Sequence, residues 1–160
     1  MRKLELLKGQ VLQRKGASNK KVFLVEKGLL YAYTIDEKGK EHIFMFAPKG
    51  WIVADISLTP NSSELYIEAI EDSIVIEKER SAELNKTSLI KLERRIAVLQ
   101  NRVIMLMSAS AIERYNHFIK TYPEIVQRVP QRMIASYLGI TPEALSKVKN
   151  AKVRSNKMIS

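Results

Sequence analysis

The 160 residues contain no cysteine. Disulfide scaffolds, thiolate zinc sites, cysteine-bound iron–sulfur clusters and cysteine nucleophiles are thereby excluded. Histidine is nearly as scarce. His42 and His117 are 75 residues apart, so they form no metal-ligand spacing and no metal site is expected. The six glycines are scattered singly, which leaves no glycine-rich loop to cradle a phosphate. No apolar run approaches the ~18–20 residues needed to cross a bilayer, and no signal-peptide core follows Met1. A cytoplasmic location without a membrane partner is the expectation. No side-chain grouping suits nucleophilic or metal-assisted catalysis, so no catalytic residues are assigned and the chain is not expected to be an enzyme. Lysine and arginine are also missing from residues 50–77, which hold six acids: Asp55, Glu64, Glu68, Glu71, Asp72 and Glu77.

What is present is an ordinary globular composition, 46% hydrophobic and 28% charged, with a net charge of +10. The length allows one domain or two small ones. The charge is unevenly placed. Residues 1–80 hold 13 basic and 12 acidic side chains, whereas residues 81–160 hold 14 and 5. Such asymmetry suggests a polyanion partner, although a solvated basic surface reads the same way from charge alone.

The two halves also differ in period, giving an α+β chain. Short β-branched and aromatic runs occur at Val22–Val25, Leu29–Ile35, Glu41–Phe46, Trp51–Val53, Leu65–Ile70 and Ser73–Glu77. Glycine-containing turn clusters separate several of them, as in a sandwich or barrel. After residue 80 the spacing becomes helical. Leu89, Leu92, Ile96, Leu99, Val103 and Leu106 follow steps of 3 and 4, a narrow heptad seam. Met105, Ile112, Tyr115 and Ile119 predict that this helix continues to Pro123. The seam suits either docking on the β domain or a homodimer, and its narrowness favours the dimer.

Residues 131–150 read as a helix-turn-helix. Ile134, Ala135 and Leu138 mark a short helix that stops at Gly139. Thr141 is a good N-cap, and Pro142 suits the first position of a second helix reaching about Asn150. Ala135 keeps the crossing close, and Ile134, Leu138, Ile140, Leu145 and Val148 form the shared apolar face. If the motif reads double-stranded DNA, the second helix enters the major groove. Thr141, Glu143, Ser146, Lys147 and Asn150 then point outward. Glu143 can accept from cytosine N4, and Lys147 can donate to guanine. Arg128, Arg132, Lys149, Lys152, Arg154 and Lys157 are candidates for phosphate contacts.

The pattern Gln131-x-x-Ile134-Ala135-x-x-Leu138-Gly139-Ile140, followed by Leu145-Ser146, resembles the Crp/Fnr transcription regulators. The first half resembles the same family through Lys8-Gly9, Lys15-Gly16, Phe23-Leu24-Val25-x-Lys27-Gly28, Gly39-Lys40-Glu41 and Ile67–Ser73. The resemblance implies an N-terminal double-stranded β-helix (a β-roll or jelly roll) over residues 1–80. A linker and dimerisation helix over 81–120 and a helix-turn-helix domain over 121–160 follow. It also implies DNA, a second copy of the chain and RNA polymerase as partners. The alternative is an effector- or protein-binding module of the same fold that does not read DNA.

Three departures qualify what the resemblance implies. Cyclic-AMP-binding members carry a Gly-Glu pair and, a loop later, Arg-Ser or Arg-Thr. Here Ala54-Asp55 and Ser63-Glu64 stand at those places. Asp55, Ile56, Ser63 and Glu64 are the effector-pocket candidates, but the phosphate-binding arginine is missing and cyclic AMP is not expected to bind. No other small effector or cofactor is identified. The final ten residues show no strand pattern for the family's β-hairpin wing, so a basic extension or disorder is expected there. Pro142 stands where many members have a guanine-reading arginine. Within this family, the lack of cysteine also removes the iron–sulfur sensors.

Overall fold

The computed structural model describes residues 1–18, 21–55, 62–79 and 86–159, with side chains described in the last segment for Ile90 and residues 93–152. The chain divides into two compact units, Met1–Ser81 and Ala82–Ser160.

The first unit contains β1 (Arg2–Leu6), β2 (Val11–Gln13), β3 (Lys21–Lys27), β4 (Leu29–Ile35), β5 (Glu41–Pro48), β6 (Ile52–Val53), β7 (Tyr66–Ala69) and β8 (Ser73–Glu79). They form two antiparallel sheets, ordered β1-β8-β3-β6 and β2-β7-β4-β5. Alternate side chains point to opposite sheet faces, so every second residue reaches the space between the sheets. Leu6, Phe23, Val25, Val53 and Val75 meet Leu30, Ala32, Met45, Ala47, Ile67 and Ala69 there. The expected strands are all present. Two further strands, β1 and β2, come from the first 13 residues. β1 is held by register with β8, from Arg2 opposite Glu77 to Leu6 opposite Ser73.

Between β3 and β4 the chain turns at Gly28, whose φ is 91°. The turn lies directly on Ser73, where β8 begins. Ser73 Oγ accepts from the Leu29 backbone N–H at 3.1 Å and donates to the Glu71 carbonyl at 2.7 Å. A Cβ at residue 28 would sit 2.7 Å from the Ser73 Cα. The backbone conformation and the close approach both require glycine.

The second unit contains α1 (Lys86–Ser108), α2 (Ala111–Thr121), α3 (Gln131–Leu138) and α4 (Pro142–Ile159). The continuous helix expected as far as Pro123 is divided at residues 109–110. Ser110 is extended, with φ −65° and ψ 163°, and its hydroxyl accepts from the Glu113 N–H. Glu113 Oε2 reciprocates by accepting from the Ser110 N–H at 2.7 Å. This capping box satisfies donors at the start of α2, and the Ser110 hydroxyl and N–H hold the Glu113 carboxyl below the usual glutamate range. Apolar spacing continues across the break because α2 turns its own face inward. Tyr115 and Phe118 are buried there, and Phe118, Tyr122 and Tyr137 form an aromatic cluster with ring centroids 5.3–5.7 Å apart.

The other difference concerns α4. The sequence pattern predicts an end near Asn150, but the helix continues to Ile159. Residues 151–159 contain neither glycine nor proline, so nothing in the local sequence breaks the helix. The expected basic segment is present as helix.

Gly28→Ala is expected to destabilise the β unit by ~2 kcal/mol or more through backbone strain and the clash with Ser73. Urea denaturation followed by a β-sheet signal tests this. The midpoint should fall while the slope is unchanged.

Candidate functional site

The turn between α3 and α4 sets the geometry of the candidate nucleic-acid interface. Gly139 has φ 64° and ψ 33°, and its N–H bonds the Ser136 carbonyl at 3.1 Å. The Ile140 N–H returns to the Ala135 carbonyl, also at 3.1 Å. Together these are the two bonds of a Schellman closure, which satisfies carbonyls at the end of α3. Thr141 then caps α4: its Oγ1 accepts from the Ala144 N–H at 3.2 Å. Ile134, Ala135, Leu138 and Leu145 are buried between the helices, with Ile140 and Val148 half-buried. The packing follows the sequence pattern position by position.

Among the candidate DNA contacts, Arg132, Thr141, Glu143, Ser146, Lys147 and Asn150 are exposed. Glu143, Lys147 and Asn150 recur with the helical period along one side of α4. The Glu143 carboxyl is held below its ordinary range by its own backbone N–H and the Thr141 hydroxyl, so it remains an anionic acceptor at neutral pH. Lys149 is half-buried, on the side of Leu145 and Val148. Lys152 continues that inward side. Its Nζ donates to Asn116 Oδ1 at 2.7 Å and lies 5.9 Å from the Tyr115 ring centroid. It is thus tied to α2, whereas the sequence pattern predicts a phosphate contact. The side chains of Arg154 and Lys157 lie outside the described residues.

Along α1, Ile96 and Val103 are each 55% exposed, whereas Leu99 and Leu106 are half-buried. Ile104 and Met107 are also exposed, Met107 at 81%. The side chains of Leu89 and Leu92 lie outside the described residues. The exposed apolar stripe therefore includes Ile104 and Met107, which the heptad spacing leaves out.

In the β unit, Asp55, Ser63 and Glu64 are brought together. Ile56 lies outside the described residues. Asp55 is only 3% exposed. Its Oδ2 accepts from the backbone N–H groups of Glu64 and Leu65 at 2.5 and 2.7 Å. The Ser63 N–H bonds the Ala17 carbonyl at 2.8 Å, and its carbonyl accepts from Gly16 at 2.9 Å. Ser63 Oγ is buried with no hydrogen-bond partner among the described residues. Glu64 is exposed and lies 3.9 Å from Lys15 Nζ.

One cluster has no counterpart in the sequence pattern. Tyr31, Tyr33 and Tyr66 stack with centroids 4.8 and 5.2 Å apart, and Tyr33 OH donates to Glu68 Oε2 at 3.0 Å. Burial, reinforced by Glu68, pushes the Tyr33 phenol up to about 12, and burial raises Tyr31 further. Both remain neutral at physiological pH. Their positions in β4 and β7 carry a β signal but give no sign that three rings stack. Among the described residues no group of three or more His, Asp or Glu side chains could hold a metal ion, and no helix is long and apolar enough to cross a membrane.

The model of the cyclic nucleotide-binding domain matches residues 3–85. The anaerobic regulatory protein of Haemophilus influenzae is 26% identical over 167 residues, covering 92% of this chain and 65% of that protein. Electron transport regulator A of Shewanella oneidensis is 27% identical over 168 residues, covering 92% and 67%. The chain thus spans about two thirds of the length of these relatives. FixK2 from Bradyrhizobium japonicum shares the fold with a TM-score of 0.80 at 22% identity, covering 97% of this chain and 85% of that one. A CRP/FNR family regulator from Thermus thermophilus has a TM-score of 0.78 at 17% identity, covering 96% and 87%. With the domain model filling the two-sheet unit and the helix-turn-helix following it, the chain belongs to the cyclic nucleotide-binding domain family, with the architecture of the Crp/Fnr regulators.

Proposed function

We propose that the protein is a homodimeric, DNA-binding transcription regulator of the Crp/Fnr type that does not respond to cyclic AMP. The observation that carries this reading is the face of α4. A capped helix start, a glycine turn and the exposed Thr141, Glu143, Ser146, Lys147 and Asn150 present hydrogen-bonding groups of the kinds that read base edges. Arg128 and Arg132 are exposed in the preceding segment and suit phosphates. The protein is cytoplasmic in this reading, with RNA polymerase as a further partner and no reaction catalysed. The exposed Ile96, Val103, Ile104 and Met107 support pairing of α1 with a second copy, since clustered exposed apolar side chains mark interaction surfaces.

The Asp55 arrangement supports the absence of a cyclic-AMP response. Two convergent backbone donors already face a buried carboxylate that belongs to the chain. An incoming cyclic phosphate would meet that negative charge where a cation is needed, and residues 50–77 offer no arginine or lysine. Burying an anion without such a partner is unfavourable.

Fluorescence anisotropy with genomic fragments tests DNA recognition. Binding should be salt-sensitive and fragment-selective, and replacing Lys147 or Glu143 by alanine should reduce the preference about tenfold at one base position. Weak, salt-insensitive binding to every fragment would instead favour an effector- or protein-binding module. In sedimentation, the intact chain should have twice the 18.3 kDa protomer mass, and Val103→Asp should shift it towards monomer. Calorimetry with cyclic AMP should give no heat of binding. Micromolar affinity would overturn that part of the proposal.

A further inference from the structure

The sheet β1-β8-β3-β6 carries at one end a hollow that the regulator reading leaves unused. Its volume is about 520 Å³, and Glu5, Leu7, Gln10, Lys27, Asp72 and Ile74 are among the residues lining it. That volume is within the range of small-ligand sites. Its floor is apolar: Ile74 is half-buried, and Leu7 at the rim is 71% exposed. Its walls carry charge of both signs. Glu5 on β1 pairs in register with Ile74 from one side, and Lys27 on β3 pairs with it from the other. Neighbouring strands are ~4.8 Å apart, so the two charged residues flank Ile74 at a separation of ~10 Å.

A bulge sets Lys27 in that place. β3 and β8 pair without interruption from Lys21 opposite Glu79 to Val25 opposite Val75, and Lys27 then stands opposite Ile74. Glu26 is the extra residue, and a bulge of this kind re-aims the side chains around it. Glu26 is taken by Lys3, whose Nζ lies 3.0 Å from Glu26 Oε2. That ion pair joins β1 to β3 across β8, so side chains of these two strands are long enough to meet. Glu5 and Lys27 belong to the same two strands, yet they form no ion pair among the described residues. The rim is held by the chain itself. Gln10 Oε1 accepts from the Leu7 N–H at 3.0 Å, and Asp72 Oδ1 accepts from the Lys8 N–H at 2.8 Å. The Gly9 N–H bonds the Ala69 carbonyl at 2.7 Å, which fixes this turn against the end of β7.

We propose that the hollow binds a free α-amino acid with an apolar side chain. Glu5 takes its ammonium group, Lys27 takes its carboxylate, and its side chain covers Ile74 and Leu7. Charge-assisted hydrogen bonds are ~2.8 Å long, and one at each end of a compact zwitterion fills the interval between the two residues. A simple anion would leave Glu5 without a counter-charge, and a simple cation would do the same to Lys27. None of these residues belongs to the Asp55 arrangement. The site lies within the β unit and stands whether or not the chain reads DNA.

Amide chemical-shift mapping of the full-length protein with L-isoleucine tests the site. Shifts are expected at residues 6–10, 27 and 72–74, saturating with a Kd at or below about 1 mM, while Glu64 and Leu65 stay unchanged. N-acetyl-isoleucine lacks the ammonium group and isoleucine amide lacks the carboxylate, so each should bind at least about tenfold more weakly. Lys27→Gln should lower the affinity for isoleucine about tenfold and leave that for isoleucine amide as it is in the unsubstituted protein. Glu5→Gln should act in the same way towards N-acetyl-isoleucine. Both residues are exposed and lie outside the core, so the variants keep the fold, and unchanged shifts in the core strands verify that. Glycine, with no side chain to cover Leu7, should bind about tenfold more weakly than isoleucine. The absence of saturable shifts at these residues with isoleucine up to about 10 mM overturns the proposal. Blocked derivatives that bind as tightly as the free amino acid overturn it in favour of a purely apolar hollow, and equal affinity for glycine overturns the preference for an apolar side chain.

Discussion

A helix must find donors for the carbonyls at its C-terminal end, and much of the helical unit is arranged around that requirement. The end of α3 is closed from one side by the amides of Gly139 and Ile140 and from the other by Arg114. The end of α1 is closed by the same arginine, through Leu106 and Ala109. Because these donors are shared between helices, satisfying the backbone also fixes the angles at which the helices meet. The apolar interior of Phe118, Tyr122, Tyr137, Leu138 and Leu145 fills the space left between them. Burial supplies the larger stabilising term, but it is weakly directional. The hydrogen bonds select one arrangement among several that would bury similar area.

The β unit answers a different requirement, since each sheet must cover the apolar face of the other. Alternation along β3, β4, β5 and β8 makes those strands legible from their own residues. β1 and β2 are not legible in the same way. β1 buries only Leu6 fully, and β2 is three residues long. Their identity depends on pairing with β8 and β7, residues more than fifty positions away in sequence. Local pattern cannot report such distant partners.

The helix-turn-helix is the most legible part of the chain because its constraints are local: a cap at Thr141, a left-handed glycine, and apolar residues one turn apart. The break before α2 is also locally encoded, in Ser110 and Glu113, but the apolar spacing that runs across it gives a stronger signal for continuity. The candidate site residues divide similarly. Outward positions on α4 follow from helical geometry, whereas the inward turn of Lys152 depends on Asn116, thirty-six residues earlier. The partners of Asp55 are backbone amides, which carry no side-chain signature, so its burial cannot be read from composition.

That buried carboxylate also bears on what the β unit can report. A small effector acts as a signal because its concentration changes, and with it the fraction of sites filled. The group facing the amides of Glu64 and Leu65 is covalently part of the chain, so its local concentration is high and set by the fold. In this structure the two donors are therefore occupied by the chain's own carboxylate and not by a ligand. A ligand that used the same two amides would first have to displace Asp55 from them.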